Sequence, residues 1–213
     1  MRLNSVIIAD DSADCNICEL CVGLKDSTIQ LLNQYQELHN NVAIQHLVLL
    51  SEIDKNHIAE ELSKVNQDYF ISFWYGHGNK NAFWIANEDI ISTTDNYYLF
   101  SNALVYTFSC YVGLELAKAV VDNGAKVFVG YASAAECPWG LDDTTTTLAM
   151  VFVDSFVKGK SVNDSVSDLR EAYNNAVYDD NIDPLLRGYF QKNRDALVLK
   201  GDGELTINDM LIQ

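Results

Sequence analysis

Short apolar runs alternate along this chain with segments whose apolar residues recur at helical spacing, and few folds accept that alternation. The runs are Ser5–Ala9, Val42–Leu50, Tyr69–Tyr75, Ala103–Phe108 and Lys126–Val129. Each is rich in Val, Ile, Leu or aromatic residues with few charges, the pattern of strands buried on both faces. Between them, Leu24, Thr28, Leu31, Leu32 and Tyr35 keep approximately helical spacing over Leu24–Leu38. Asp54 is placed to cap a helix reaching about Val65, and Val112–Asp122 reads as another, closed by Asn123-Gly124 as a left-handed cap. A short hairpin is expected over Ala82–Ile91. Strands joined through helices imply right-handed crossovers and a mostly parallel sheet covered on both faces.

The C-terminal third reads mostly as helix. Leu148, Val151, Phe152 and Phe156 share a face of a helix that Gly159 ends, and Ser161 with Asp164 resembles a capping box. Val162, Val166, Leu169, Tyr173 and Val177 follow at helical spacing. Ala196–Leu199 and Glu204–Ile207 read as two short strands around Gly201-Asp202-Gly203.

A length of 213 residues suits one domain with a sizeable core, so residues 1–213 are expected to form a single unit. The net charge of −16 repels phosphate backbones and argues against nucleic acid as a partner. No apolar run approaches the roughly 18 residues of a membrane span, and Met1–Asp11 lacks a secretion leader, so a cytoplasmic location is expected. The five cysteines, Cys15, Cys18, Cys21, Cys110 and Cys137, are odd in number, so a disulfide framework is not expected.

Two residues with chemistry fall just past predicted strand ends, where parallel sheets bind ligands. His77 follows Tyr69–Tyr75 within Gly76-His77-Gly78, and Cys110 follows Ala103–Phe108. A thiol attacks a carbonyl only as thiolate, from a free pKa of about 8.5. A histidine that takes the proton would activate it, and so would the start of the helix expected at Val112. Gly78, with no side chain, lets its N–H approach a substrate; with the Cys110 N–H it would form an oxyanion hole. Singly, a buried cysteine is usually a small hydrophobe and a His-Gly pair only a turn. Their pairing on successive strands gives them weight.

Trp74-Tyr75-Gly76-His77-Gly78 resembles the Tyr-x-Gly-His-Gly segment of gingipain-like and CHAT peptidases. Ser109-Cys110-Tyr111-Val112-Gly113 resembles their Ser/Ala-Cys-x-x-Gly nucleophile segment, and Gly124–Gly130 the Gly-Ala strand after it. Trp139–Asp143, Lys158-Gly159, Leu169–Ala172 and Gly201-Asp202 are similar to later family segments, with Gly203 where proline is usual. The resemblance, over about Val6 to Ile207, implies a caspase-like α/β/α sandwich and a clan CD cysteine endopeptidase needing no metal or cofactor. His77 would be the base, Cys110 the nucleophile and Gly78 an oxyanion donor. It also implies a protein or peptide substrate and a regulated role in signalling or defence, with a regulatory partner protein. In such folds the pocket for the residue before the scissile bond lies partly against the loop after the first strand. Here that loop carries Asp10 and Asp11, either of which would attract Arg or Lys; as turn-forming caps both would instead stay solvated.

Two other readings stand beside this one. The same fold can serve as a non-catalytic interaction module, which reaction with an electrophilic peptide would exclude. Cys15, Cys18 and Cys21 are spaced for zinc or an iron–sulfur cluster, but three thiolates without a second pair fit a buried helix face equally well.

Overall fold

The computed structural model describes residues 1–12, 17–50, 52, 54–85, 88–138 and 140–212. The chain begins with β1 (Arg2–Ala9), α1 (Cys18–Leu38), β2 (Ala43–Leu49), α2 (Lys55–Val65) and β3 (Phe70–Tyr75). A small antiparallel sheet follows, β4 (His77–Gly78), β5 (Ala82–Ile85) and β6 (Glu88–Ser92), then a 3-10 turn at Tyr97–Phe100. Next come β7 (Ala103–Phe108), α3 (Glu115–Asp122), β8 (Val127–Tyr131), α4 (Asp142–Val157), α5 (Val162–Val177), α6 (Pro184–Ala196) and β9 (Leu197–Gly201).

The main sheet has the order β2-β1-β3-β7-β8-β9, parallel except for β9. β3 and β7 lie inside it and every residue of both is buried, which is why their sequences read as unbroken apolar runs. Alternate side chains feed two cores. Leu3, Ile7, Ile71, Phe73, Leu104 and Tyr106 meet α1, α4, α5 and α6 on one face. Val6, Ile8, Phe70, Trp74, Ala103 and Val105 meet α2, α3 and the small sheet on the other. The expected α/β/α sandwich is thus present.

Local signals read from the sequence hold in several places. The Asp54 carboxylate accepts the His57 N–H at 2.9 Å at the start of α2, and Ser161 Oγ accepts the Asp164 N–H at 3.1 Å at the start of α5. Gly124 has φ +105°, as a left-handed cap requires.

Two expectations need correction, and one helix had no expectation. The helix expected from Val112 starts only at Glu115, because Tyr111 adopts φ +63° and breaks the helical path. Glu204–Ile207 is no strand: the Leu205 carbonyl accepts the Val162 N–H at 2.9 Å, and a 3-10 turn over Ile207–Met210 follows. Helix α6 was not anticipated. Among the described residues, no helix is long and apolar enough to cross a membrane.

Sheet order also fixes where a site can form. The chain leaves β1 for β2 on one side and returns to β3 on the other, so a topological switch point lies between β1 and β3 at their C-terminal ends.

Candidate active site

Register brings the sequence-predicted residues together. Ala9 pairs with Tyr75, and Tyr75 with Phe108. His77 and Cys110 each lie two positions beyond that paired level on neighbouring parallel strands. Asp10 and Asp11 lead off the adjacent strand end. Two bonds tie the three ends: the Asp10 N–H donates to the Tyr75 carbonyl at 2.9 Å, and the Gly76 N–H to the Phe108 carbonyl at 3.5 Å.

The glycines of both motifs answer to close approach. A Cβ on Gly78 would lie 2.5 Å from Val112 Cγ1 and 3.2 Å from the Cys110 carbonyl oxygen. Gly78 therefore packs directly against the Cys110 backbone. A Cβ on Gly113 would overlap Val198 and stand 2.9 Å from the Tyr131 carbonyl. His77 opens the small sheet, paired with Trp84, and its ring lies 6.1 Å from the Trp84 ring, centroid to centroid. The other histidines stand apart. His39 caps the end of α1, His46 sits on the edge strand β2 beside Asn33, and His57 faces Glu61 on α2.

Cys110 is followed by a turn, not a helix. Tyr111 holds a left-handed conformation that costs about 1–2 kcal/mol for a residue with a Cβ. Its N–H donates to the Ser133 carbonyl at 2.9 Å, and the Gly113 N–H donates to the Tyr131 carbonyl at 2.9 Å. The turn is thereby folded back onto the end of β8. With α3 starting at Glu115, Cys110 lies outside the first turn in which a helix dipole acts, so that expected activator is absent.

The Cys110 thiol donates weakly to the Ala135 carbonyl, with sulfur and oxygen 3.9 Å apart. Burial holds this thiol above its ordinary value, and the Glu136 carboxylate adds to the rise. Such a thiol needs a base at the moment of attack and is no preformed thiolate.

Asp10 is 1% exposed. Its Oδ1 accepts the Ser12 N–H at 3.1 Å and the Ser12 hydroxyl at 2.6 Å, the turn-forming role, while Oδ2 is buried and takes no hydrogen bond among the described residues. The Asp10 side chain lies against Gly76, whose Cβ would meet Asp10 Cβ at 3.1 Å. Asp11 is partly exposed on the same turn. Asp10 is therefore a buried turn former, not a solvated cap.

Beyond this turn, Cys18 and Glu19 of α1 and Cys137 and Asp142 at the start of α4 line one cleft of about 420 Å³. Cys137 is pushed up to about 11, chiefly by burial. Cys18 and Cys21 sit on the first turn of α1, whereas Cys15 lies outside the described residues, as does Trp139. Among the described residues, no group of three or more His, Cys, Asp or Glu is placed to hold a metal ion.

Sequence reasoning passed over Ala132–Pro138 as a connector. This segment supplies both the carbonyl at Cys110 and the carbonyl that pins Tyr111. Its place after a third parallel strand end was the available signal.

No protein-family model and no curated protein sequence matches the chain. Solved structures resemble it, two of gingipain among them. One is the complex of Porphyromonas gingivalis RgpB pro- and mature domains, at 15% identity and TM-score 0.63 over 95% of this chain and 48% of that one. The other is the Arg-specific cysteine proteinase gingipain R (RgpB), at 13% identity and TM-score 0.63 over 95% of this chain and 47% of that one. The chain spans about half the length of these gingipain chains, and its α/β sandwich is the caspase-like fold they carry.

Proposed function

We propose that the chain is a cysteine endopeptidase, one peptidase domain over residues 1–213, with Cys110 as nucleophile and His77 as general base. The observation that supports it most is the shared register level of His77 and Cys110 on adjacent strands, with Gly78 packed on the Cys110 backbone. The substrate is a protein or peptide, and neither metal nor cofactor enters the reaction.

His77 takes the proton from Cys110 Sγ as sulfur attacks the scissile carbonyl and the C–S bond forms. The N–H groups of Gly78 and Cys110 face the developing oxyanion. The amide C–N bond then breaks, and His77 returns its proton to the leaving amine. Water next attacks the thioester, His77 accepting its proton, and the carboxylic acid leaves with Cys110 restored as thiol.

The residue before the cleaved bond is Arg or Lys in this reading. Asp10, whose buried Oδ2 takes no hydrogen bond among the described residues, and the partly exposed Asp11 beside it supply the charge. A neighbour of the same fold is Arg-specific by name. The net charge of −16 favours encounter with basic substrates, more so at low salt.

A second reading, a non-catalytic interaction module, is favoured by the late start of α3 at Glu115, which leaves Cys110 outside the helix N-terminus. One experiment separates the two: fluorogenic peptides differing only in Arg, Lys, Asp or Leu before the reporter, with wild type and Cys110→Ala. Hydrolysis after Arg and Lys that Cys110→Ala abolishes supports the peptidase. Absence of hydrolysis of all four, with and without a candidate regulatory partner protein, supports the module.

A further inference from the structure

The segment Ala132–Glu136 works as a strap between α6 and the candidate nucleophile. On its inner side it holds Cys110: the Ser133 carbonyl accepts the Tyr111 N–H at 2.9 Å, and the Ala135 carbonyl accepts from Cys110 Sγ at 3.9 Å. On its outer side α6 holds the strap. The Ala132 N–H donates to the Ala196 carbonyl at 2.8 Å. Asn193 Oδ1 accepts the Glu136 N–H at 2.7 Å, and Asn193 Nδ2 donates to the Glu136 carbonyl at 2.7 Å.

Asn193 is 0% exposed. A buried amide is costly to place in a core unless its groups are bonded, and these two bonds go to a single backbone residue of the strap. Among neutral side chains only a carboxamide offers an acceptor and a donor side by side, which a backbone N–H and C=O of one residue require. The Tyr173 hydroxyl of α5 pairs with the Tyr131 hydroxyl at the end of β8 at 2.8 Å. Lys192 faces the Glu136 carboxylate at 3.4 Å from the same helix.

We propose that Asn193 is a positioning residue for Cys110: by clamping both backbone groups of Glu136, it fixes the strap that holds the nucleophile's turn and sulfur. The proposal rests on the peptidase reading for its kinetic consequence but not for its geometric one.

The test uses the full chain and three measurements. Asn193→Leu keeps the approximate shape and removes both polar groups; Asn193→Gln keeps both groups one methylene further out. In folded Asn193→Leu, kcat on an Arg peptide should fall about 10²-fold, the scale expected for a displacement of about 1 Å. KM should stay within about threefold, because uniform binding is untouched. Asn193→Gln should retain more activity than Asn193→Leu. Iodoacetamide alkylation followed by mass spectrometry should show Cys110 reacting faster than in wild type while Cys18 and buried Cys21 keep their rates, which global destabilisation would not produce. In wild type, hydrogen exchange should show the Glu136 amide protected relative to those of Ala135 and Cys137.

Unchanged kcat and unchanged Cys110 alkylation in folded Asn193→Leu would overturn the proposal. A Glu136 amide that exchanges as fast as its two neighbours in wild type would overturn it too, and this arm decides if Asn193→Leu does not fold. If wild type hydrolyses no peptide, the peptidase reading fails, and the alkylation and exchange arms still decide whether Asn193 positions Cys110.

Discussion

Gly78→Ala probes the contact on which the candidate oxyanion hole depends. The added Cβ would lie 2.5 Å from Val112 Cγ1, against the ~3.5 Å or more of an ordinary carbon–carbon contact. Something must move by about 1 Å. Val112 is 0% exposed and packed in the second core, so it yields little. The Cys110 carbonyl at 3.2 Å and the Ala82 carbonyl at 3.3 Å close the other directions. The expected result is a loss of about 1–3 kcal/mol of stability from overpacking. The displaced Gly78 N–H should also lower kcat by about 10²–10³-fold, as removal of one oxyanion donor does elsewhere. Val112→Ala removes Cγ1, so the double variant should recover stability, with a coupling of about 0.5–3 kcal/mol between neighbours in contact. Thermal melts and peptide hydrolysis on wild type, both single variants and the double variant measure this. Gly78→Ala with wild-type stability and turnover would refute the packing argument, and strictly additive stabilities would show that Val112 is not the obstacle.

Cys110→Ala should abolish hydrolysis with little change in melting temperature, since among the described residues Sγ makes one weak bond, to the Ala135 carbonyl. His77→Ala should lower turnover by about 10²–10⁴-fold or more; His46→Ala and His57→Ala should leave it near wild type, and equal damage from either would put the base elsewhere. Specificity should shift in Asp10→Asn and Asp11→Asn, measured as the ratio of Arg to Leu peptide hydrolysis, and an unchanged ratio in both would remove the acidic turn from the pocket. Cys137 carries a thiol raised from 9.0 to about 11, so its neutral form is the one the fold favours. Its contribution to stability is full below about 9 and is lost as pH rises through about 11. Melts between these pH values should fall less steeply for Cys137→Ala than for wild type, and parallel slopes would deny the linkage.

The central sheet was readable because burial on both faces leaves its mark on composition. Ala103–Phe108 emerges with the boundaries expected, since all six residues are buried and Ser109 follows at once. Helix α6 left a fainter mark. Only Phe190, Asn193 and Ala196 are buried among its residues, too few for periodicity to show, although Asp183-Pro184 is a start signal: the Asp183 carboxylate accepts the Leu185 N–H at 2.8 Å. The stretch after Cys110 misled because Val112 and Leu114 suit a helix by composition, and only the backbone reveals that Tyr111 turns the other way. Glu204–Ile207 alternates like a strand, yet Leu205 and Ile207 are anchors that pack under α5 and at a 3-10 turn. His77, Gly78 and Cys110 were legible because each sits at a strand end with glycine nearby. The strap and its Asn193 clamp were not, because backbone–side-chain bonds across 57 residues leave no local pattern.

Cys110 and His77 acting as one unit on a basic substrate is a statement about which sulfur reacts and what activates it. Its most direct test is covalent capture with an arginyl peptide chloromethyl ketone, read by peptide-mapping mass spectrometry on wild type and His77→Ala. Wild type should give one adduct, on Cys110, suppressed by excess Arg peptide and strongly slowed in His77→Ala. Modification led by Cys137, Cys18 or Cys15, or Cys110 capture that proceeds at the same rate without His77, would contradict it.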